Sequence, residues 1–164
     1  MQSTDPRRGH RIAPYRAIAV TAVAVALTLV IVVGAQVTDW RRDLTTNVAE
    51  TSPDAVDSLL RPLPVSAPLE EATALVIGAV QNLPRWALVS RTDGQDGVRL
   101  AFTRTTRLFR FVDDVTVWID DRGDDRLIRA RSASRVGSAD LGQNPRNLRE
   151  LFTAVRASTP VGRD

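Results

Sequence analysis

The sequence predicts an α+β fold: a four-stranded antiparallel sheet with two helices packed on one face, in the order helix, four strands, helix, preceded by one transmembrane helix. Three observations predict it. From Ala17 to Thr38 the chain carries 22 consecutive uncharged residues. Between residues 86 and 135 four runs alternate apolar and polar residues, separated by Asp- and Gly-rich turns. Two segments with apolar residues at helical spacing flank those runs.

Residues 1–16 form a basic tail with Arg7, Arg8, Arg11 and Arg16. Residues 17–38 follow as the membrane segment, since a helix needs about 20 apolar residues to cross the hydrocarbon core. Arginines before the span and none within it place the N-terminus in the cytoplasm. Tyr15 and Trp40 stand where interfacial aromatics are expected. The expected location is therefore a bacterial inner membrane, single-pass, with the C-terminal domain outside. A cleaved signal peptide is the alternative: Val33-Gly34-Ala35 has small residues where a peptidase could cut, leaving Gln36 first.

Residues 39–61 read as a linker containing Pro53, and 62–157 as the domain, with an extended piece near Leu63–Val65. Helix one is expected over residues 67–82, capped by Ser66, with Pro68, Glu70 and Glu71 in its first turn. Leu69, Ala72, Val76, Ala79, Val80 and Leu83 make its apolar face, and Pro84 ends it. The strand runs are 86–91, 98–105, 112–119 and 126–135. The first two are joined through DGQDG. For the second pair, a two-residue loop at Arg122-Gly123 sets Val115 opposite Ala130, Val117 opposite Ile128, Asp114 opposite Arg131 and Asp113 opposite Ser132. The last helix is expected to use Asn144 as cap and Pro145 as first residue, with Leu148, Leu151, Phe152 and Val155 in one stripe. Residues 158–164 read as a frayed, disordered tail.

Composition excludes several chemistries. The chain has no cysteine, so disulfides, thiolate metal sites and a cysteine nucleophile are ruled out. Its one histidine, His10, lies in the N-terminal tail, which excludes a histidine-dependent triad in the domain. The net charge of +3 resides entirely in the N-terminal tail; beyond residue 38 there are 18 arginines and 18 acids. The domain therefore has no net field to attract a phosphate backbone, and nucleic acid is not an expected partner. No cofactor and no metal are expected. The acid-rich DDRGDD turn, Asp120–Asp125, lacks the ligand order of a calcium loop and reads as an exposed hairpin turn.

The segments FVDDVTVWI and RSASRVGSADLGQNPRNLREL resemble the family called domain of unknown function 1499. The matching positions are Phe111, Asp113, Asp114, Arg131, Ser132, Ser134, Arg135, Val136, Gly137, Asp140, Leu141, Gly142, Asn144 and Arg146. The resemblance covers residues 60–157. Many relatives carry a cysteine in an upstream stretch that here reads TTNVAETSP, so no role of that cysteine transfers. The resemblance implies no established activity.

Two groups of residues are candidates for function. Asp113, Arg131, Ser132, Ser134, Arg135, Asp140, Asn144 and Arg146 could form an anion or ligand site, with amides near the last helix's N-terminus and the guanidiniums of Arg135 and Arg146 as donors. The same residues could instead hold a strand, a turn and a helix together. Asp113, inward-facing, is also a candidate general acid or base. Leu108, Phe109 and Phe111 could fold back as a lid on the core. They could equally form an exposed tip touching a partner or lipid, where Arg107 and Arg110 would suit an anionic surface.

The expectation is a membrane-anchored extracytoplasmic binding or structural module whose ligand is a protein, an envelope component or a lipid. The alternative is a small hydrolase-like enzyme using Asp113 with Arg131, Ser132 or Arg135. A lipid carrier with an apolar cavity ranks third, because two helices leave little material to roof one. Oligomeric state is not readable from the sequence.

Overall fold

The computed structural model describes residues 14–36, 46–107, 109–137 and 140–159. His10, Trp40 and Leu108, and with them any contact Leu108 makes, lie outside the described residues. The chain divides into two units, residues 1–37 and 38–164.

The first unit contains helix α1, Pro14–Gln36. Its Tyr15–Val32 stretch has a mean hydropathy of 2.2 and no buried residue. The two threonine hydroxyls donate within the helix, Thr21 Oγ1 to the Ala17 carbonyl at 3.0 Å and Thr28 Oγ1 to that of Ala24 at 2.8 Å. Each of these two hydroxyls thus has a backbone partner within its own helix. By length and composition α1 could serve as a membrane anchor or as a signal sequence.

The second unit is an α+β domain in which the sheet has six strands rather than four. In chain order they are β1 (Val48–Glu50), β2 (Leu63–Val65), β3 (Trp86–Gly94), β4 (Gly97–Thr105), β5 (Val112–Asp121) and β6 (Arg126–Ser134). The spatial order is β1-β6-β5-β4-β3, all antiparallel, with β2 also paired to β6. β1 sets Ala49 opposite Ser132, and β2 sets Leu63 opposite Ile128. Together they form one edge strand, interrupted by residues 51–62. Each piece has three residues, too few for alternation to register in the sequence. Residues 46–61, expected as linker, are thereby part of the domain. The interrupting segment holds a 3-10 turn at Ser58–Leu60, capped by Asp57, whose Oδ1 accepts from the Leu59 amide at 2.9 Å.

Two helices cover one face of the sheet: α2, Leu69–Gln81, and α3, Gln143–Ser158. The covered face carries Val98, Leu100 and Phe102 of β4, Val115, Val117 and Ile119 of β5, and Ile128 and Ala130 of β6. These pack with Ala72, Val76, Ala79 and Val80 of α2 and Leu148, Leu151, Phe152 and Val155 of α3 in one core. Full burial of each large side chain is worth about 1.5–3 kcal/mol, which makes the helical stripes the main adhesive between layers. α2 begins later than expected, after Pro68, and Ser66 does not cap it; its hydroxyl donates to Asp125 Oδ1 at 2.7 Å.

The register of β5 on β6 differs from the expected one by two residues. Val117 faces Ala130, Ile119 faces Ile128, and Asp113 faces Ser134. A two-residue slip preserves both faces, so the hydrophobic pattern cannot distinguish the two registers. Outer-face pairing favours the observed one: Trp118 stands opposite Arg129, whose guanidinium lies 5.4 Å from the indole centroid. Arg129 Nε also donates to Asp120 Oδ2 at 2.6 Å. The loop is correspondingly four residues, Arg122 to Asp125, closed by the Arg122 amide on the Asp125 carbonyl at 3.0 Å.

The β3–β4 hairpin does turn in two residues, between the paired Gly94 and Gly97. Gly97 sits at φ 138°, and a Cβ there would collide with the Ile119 carbonyl, so only glycine fits. β3 is the free edge. Its register breaks between Leu88 and Ser90, a bulge that blunts the edge against further pairing.

Candidate functional site

Five of the expected site residues converge where β5, β6 and the start of α3 meet. Alternation along β6 turns Ser132 and Ser134 toward α3, and Asp113 of β5 lies on the same face. Ser134 Oγ donates to Asp113 Oδ1 at 2.7 Å. Ser132 Oγ donates to Asn144 Oδ1 at 2.6 Å. The Asn144 amide group donates to Ser134 Oγ at 3.0 Å, Asp140 Oδ2 at 2.6 Å and the Asn47 carbonyl at 2.6 Å. Asn147, which the sequence reading did not single out, completes the set. Its Nδ2 donates to Asp113 Oδ2 at 2.8 Å and to Ser132 Oγ at 3.1 Å. Asp113 and Ser132 are therefore bridged through Asn147 rather than paired across the ladder.

Asp113, Ser132, Asn144 and Asn147 each have 0% exposure. Burying so many polar groups is tolerable only because each has a partner, and the low dielectric inside strengthens those bonds. A signal for Asn147 was present: it stands three residues after Asn144 and one before Leu148, on the buried stripe of α3. An asparagine in that stripe must find a buried partner. Asn47 carried no comparable pattern. Its Nδ2 donates to the Gly137 carbonyl at 2.8 Å, tying β1 to the turn after β6.

The entrance to α3 differs from the expected cap. The helix begins at Gln143, its N-cap is Gly142 in the left-handed region at φ 75°, and Asn144 lies inside the first turn. Asp140 takes the capping role. Its Oδ1 accepts from the Gly142 amide at 2.8 Å and its Oδ2 from the Asn144 amide at 3.0 Å. Pro145, third in the helix, has no amide hydrogen to satisfy. The positive end of α3 thus already holds a carboxylate from its own chain.

The arginines of the expected anion site do not join this cluster. Arg131 lies on the opposite sheet face, facing Thr116 and Glu50. Arg135, not Arg131, is the partner of Asp114: its Nη2 reaches Oδ1 at 2.7 Å and its Nε reaches Oδ2 at 3.0 Å. This follows from the two-residue register difference, which sets Asp114 opposite Ala133. The Asp114 carboxylate raises the pKa of the Arg135 guanidinium above its ordinary value, chiefly through that hydrogen bond. Arg146 folds onto its own turn, Nη1 to the Leu141 carbonyl at 3.1 Å and Nη2 to Gln143 Oε1 at 3.3 Å. In the acidic turn, Asp120 is paired with Arg129, Asp121 with Arg126 and Asp125 with Ser66.

The β4–β5 loop is not a lid. Phe109 is 69% exposed and Phe111 48%, and the two rings stack on each other at 5.5 Å. The core ring nearest this end of β4, Phe102, packs edge-on with Trp86 instead, ring centroids 6.4 Å apart. The loop closes on itself instead: the Thr106 amide donates to the Phe111 carbonyl, and the Phe111 amide to Thr106 Oγ1, both at 2.8 Å.

Fold and site together define an α+β domain, helices on one side of an antiparallel sheet, following an apolar N-terminal helix, whose most distinctive polar residues bind one another. The chain belongs to the family described as "Protein of unknown function (DUF1499)", whose family model matches residues 2–155. That match extends over α1 as well as the domain. No curated protein and no solved structure matches the chain.

Proposed function

We propose that this protein is a single-pass membrane-anchored module whose domain lies outside the cytoplasm and acts by binding or by structural attachment rather than by catalysis. The observation that carries the reading is the closure of the Asp113–Ser132–Asn144–Asn147 network, whose groups have no exposure and bond to one another. A hydrolase needs its acid, base or nucleophile within reach of substrate, in a cleft. Asp113 is out of reach, and Arg131 and Arg135 stand on the far side of the sheet from it. The anchored, outward orientation rests on the arginines that precede an uncharged span of membrane length.

The test is a pair of C-terminal fusions to the full chain, alkaline phosphatase and a green fluorescent protein. The reading expects an active phosphatase and a dark fluorescent protein, both retained with membranes. A fluorescent fusion with an inactive phosphatase puts the domain in the cytoplasm and overturns the orientation; phosphatase released in soluble form overturns the anchor.

A further inference from the structure

The same end of the sheet that carries Asp113 and Ser134 also carries a second cluster of residues, on loops outside the buried network. Arg85, in the turn between α2 and β3, and Thr105, Thr106, Arg107 and Arg110, at the β4–β5 loop, line a hollow of about 300 Å³. The Thr105 amide donates to the Arg85 carbonyl at 3.0 Å, fastening the two loops to each other. Arg91, Arg104, Arg126, Arg129, Arg135 and Arg149 each pair with an acid. Arg85, Arg107 and Arg110 pair with none among the described residues, and all three are exposed. The loop segment from Thr105 to Phe111 contains no acid. Arg85 at φ 67° and Arg110 at φ 54° are two of the three described non-glycine residues held in the left-handed region. On the same loop the Phe109–Phe111 stack projects into solvent.

We infer that this end of the domain docks on an anionic lipid bilayer. The three guanidiniums hold lipid phosphates around the hollow, and the two phenyl rings enter the boundary between headgroups and acyl chains. Guanidinium suits phosphate because its planar fork donates bidentately and is weakly hydrated. The ring pair is exposed, which suits insertion into a deformable apolar medium. A bilayer is also the partner at hand if α1 is an anchor, since the tether keeps its surface at high effective concentration. The inference rests on the proposed function for that tether alone, and not for the side of the membrane.

The absence of cysteine makes a single introduced thiol a unique labelling site. The full chain carrying Phe109→Cys, labelled with an environment-sensitive fluorophore of apolar character, is assembled into lipid nanodiscs. The discs contain either phosphatidylcholine alone or phosphatidylcholine mixed with phosphatidylglycerol, with spin-labelled acyl chains as quenchers. Docking predicts blue-shifted emission and quenching in the anionic discs, and quenching at least about fivefold weaker in phosphatidylcholine, the loss expected for a single surface charge contact. Arg85→Gln, Arg107→Gln and Arg110→Gln combined abolish the difference while leaving the near-ultraviolet circular dichroism unchanged. Equal quenching in both discs, or none in either, overturns the inference. So does a fluorophore shift on adding inorganic phosphate to the phosphatidylcholine discs without acyl-chain quenching, because the hollow then takes free phosphate and not a bilayer. Co-elution of chain and disc reports α1 separately, so a retained but unquenched protein sinks the docking surface and leaves the anchored module standing.

Discussion

Asp113→Ala is the sharpest test of the buried network. The carboxyl group accepts two hydrogen bonds, from Ser134 Oγ and Asn147 Nδ2, at zero exposure. Alanine removes both acceptors. Asn147 Nδ2 keeps its bond to Ser132, and Ser134 is only partly buried, so part of the loss is recovered. Each buried bond left unmade costs about 1–3 kcal/mol, giving a net destabilisation of about 3 kcal/mol. For a domain of this size that corresponds to roughly 10 °C in Tm. Asp113→Asn should cost far less, about 1 kcal/mol, because the asparagine oxygen still accepts from Asn147 while its amide donates to a rotated Ser134 hydroxyl. Thermal unfolding of the full chain in mild detergent, followed by near-ultraviolet circular dichroism of the domain tryptophans, reads both. An alanine variant within about 1 kcal/mol of the parent, or an asparagine variant as damaged as alanine, would refute the assignment of Asp113 as a structural acceptor.

The surface pairs should behave differently. Arg135→Ala breaks a pair in which both side chains are about half exposed, so Tm should fall by no more than about 1 kcal/mol's worth. A loss approaching that of Asp113→Ala in the same assay contradicts this. Arg149 holds the Asp57 carboxyl below its ordinary pKa, mainly through their 2.6 Å hydrogen bond. A carboxyl depressed in the folded state stabilises above its unfolded value, about 3.9, and that contribution fades as pH falls through the lower folded value. Asp57→Asn should therefore be less stable than the parent at neutral pH, with the gap closing below about pH 4. Chemical denaturation at a series of pH values measures it, and a gap that widens in acid has the wrong sign.

Some of this molecule was legible in its residues and some was not. Both domain helices and the four long strands were legible, because apolar residues recur at periods that only one secondary structure turns to a single face. β1 and β2 were not, since three residues carry no period. The sheet register was legible only up to a slip of two, because either choice leaves Val115, Val117 and Ile119 facing inward. That ambiguity is what exchanged Arg131 for Arg135 as the partner of Asp114, and Ser132 for Ser134 as the partner of Asp113. The candidate site was legible as a set of polar residues but not as a connected network, since its bonds join β5, β6 and α3 across the fold and Asn47 reaches it from 97 residues before Asn144. The Arg85 hollow was invisible for the same reason, joining a turn and a loop 20 residues and more apart.

By itself, then, the sequence determined the properties that depend on composition and local period: the apolar span, the charge-balanced domain, the absence of cysteine and histidine chemistry there, and the identity of the packing faces. Tertiary structure alone decided which polar groups were buried together and which were left outside. Hydrogen bonds act over about 3 Å and sequence neighbours do not predict such distances. Only when β5, β6 and α3 closed on one another did Asp113 become a sealed acceptor, while Arg85, Arg107 and Arg110 stayed in solvent with no acid partner among the described residues.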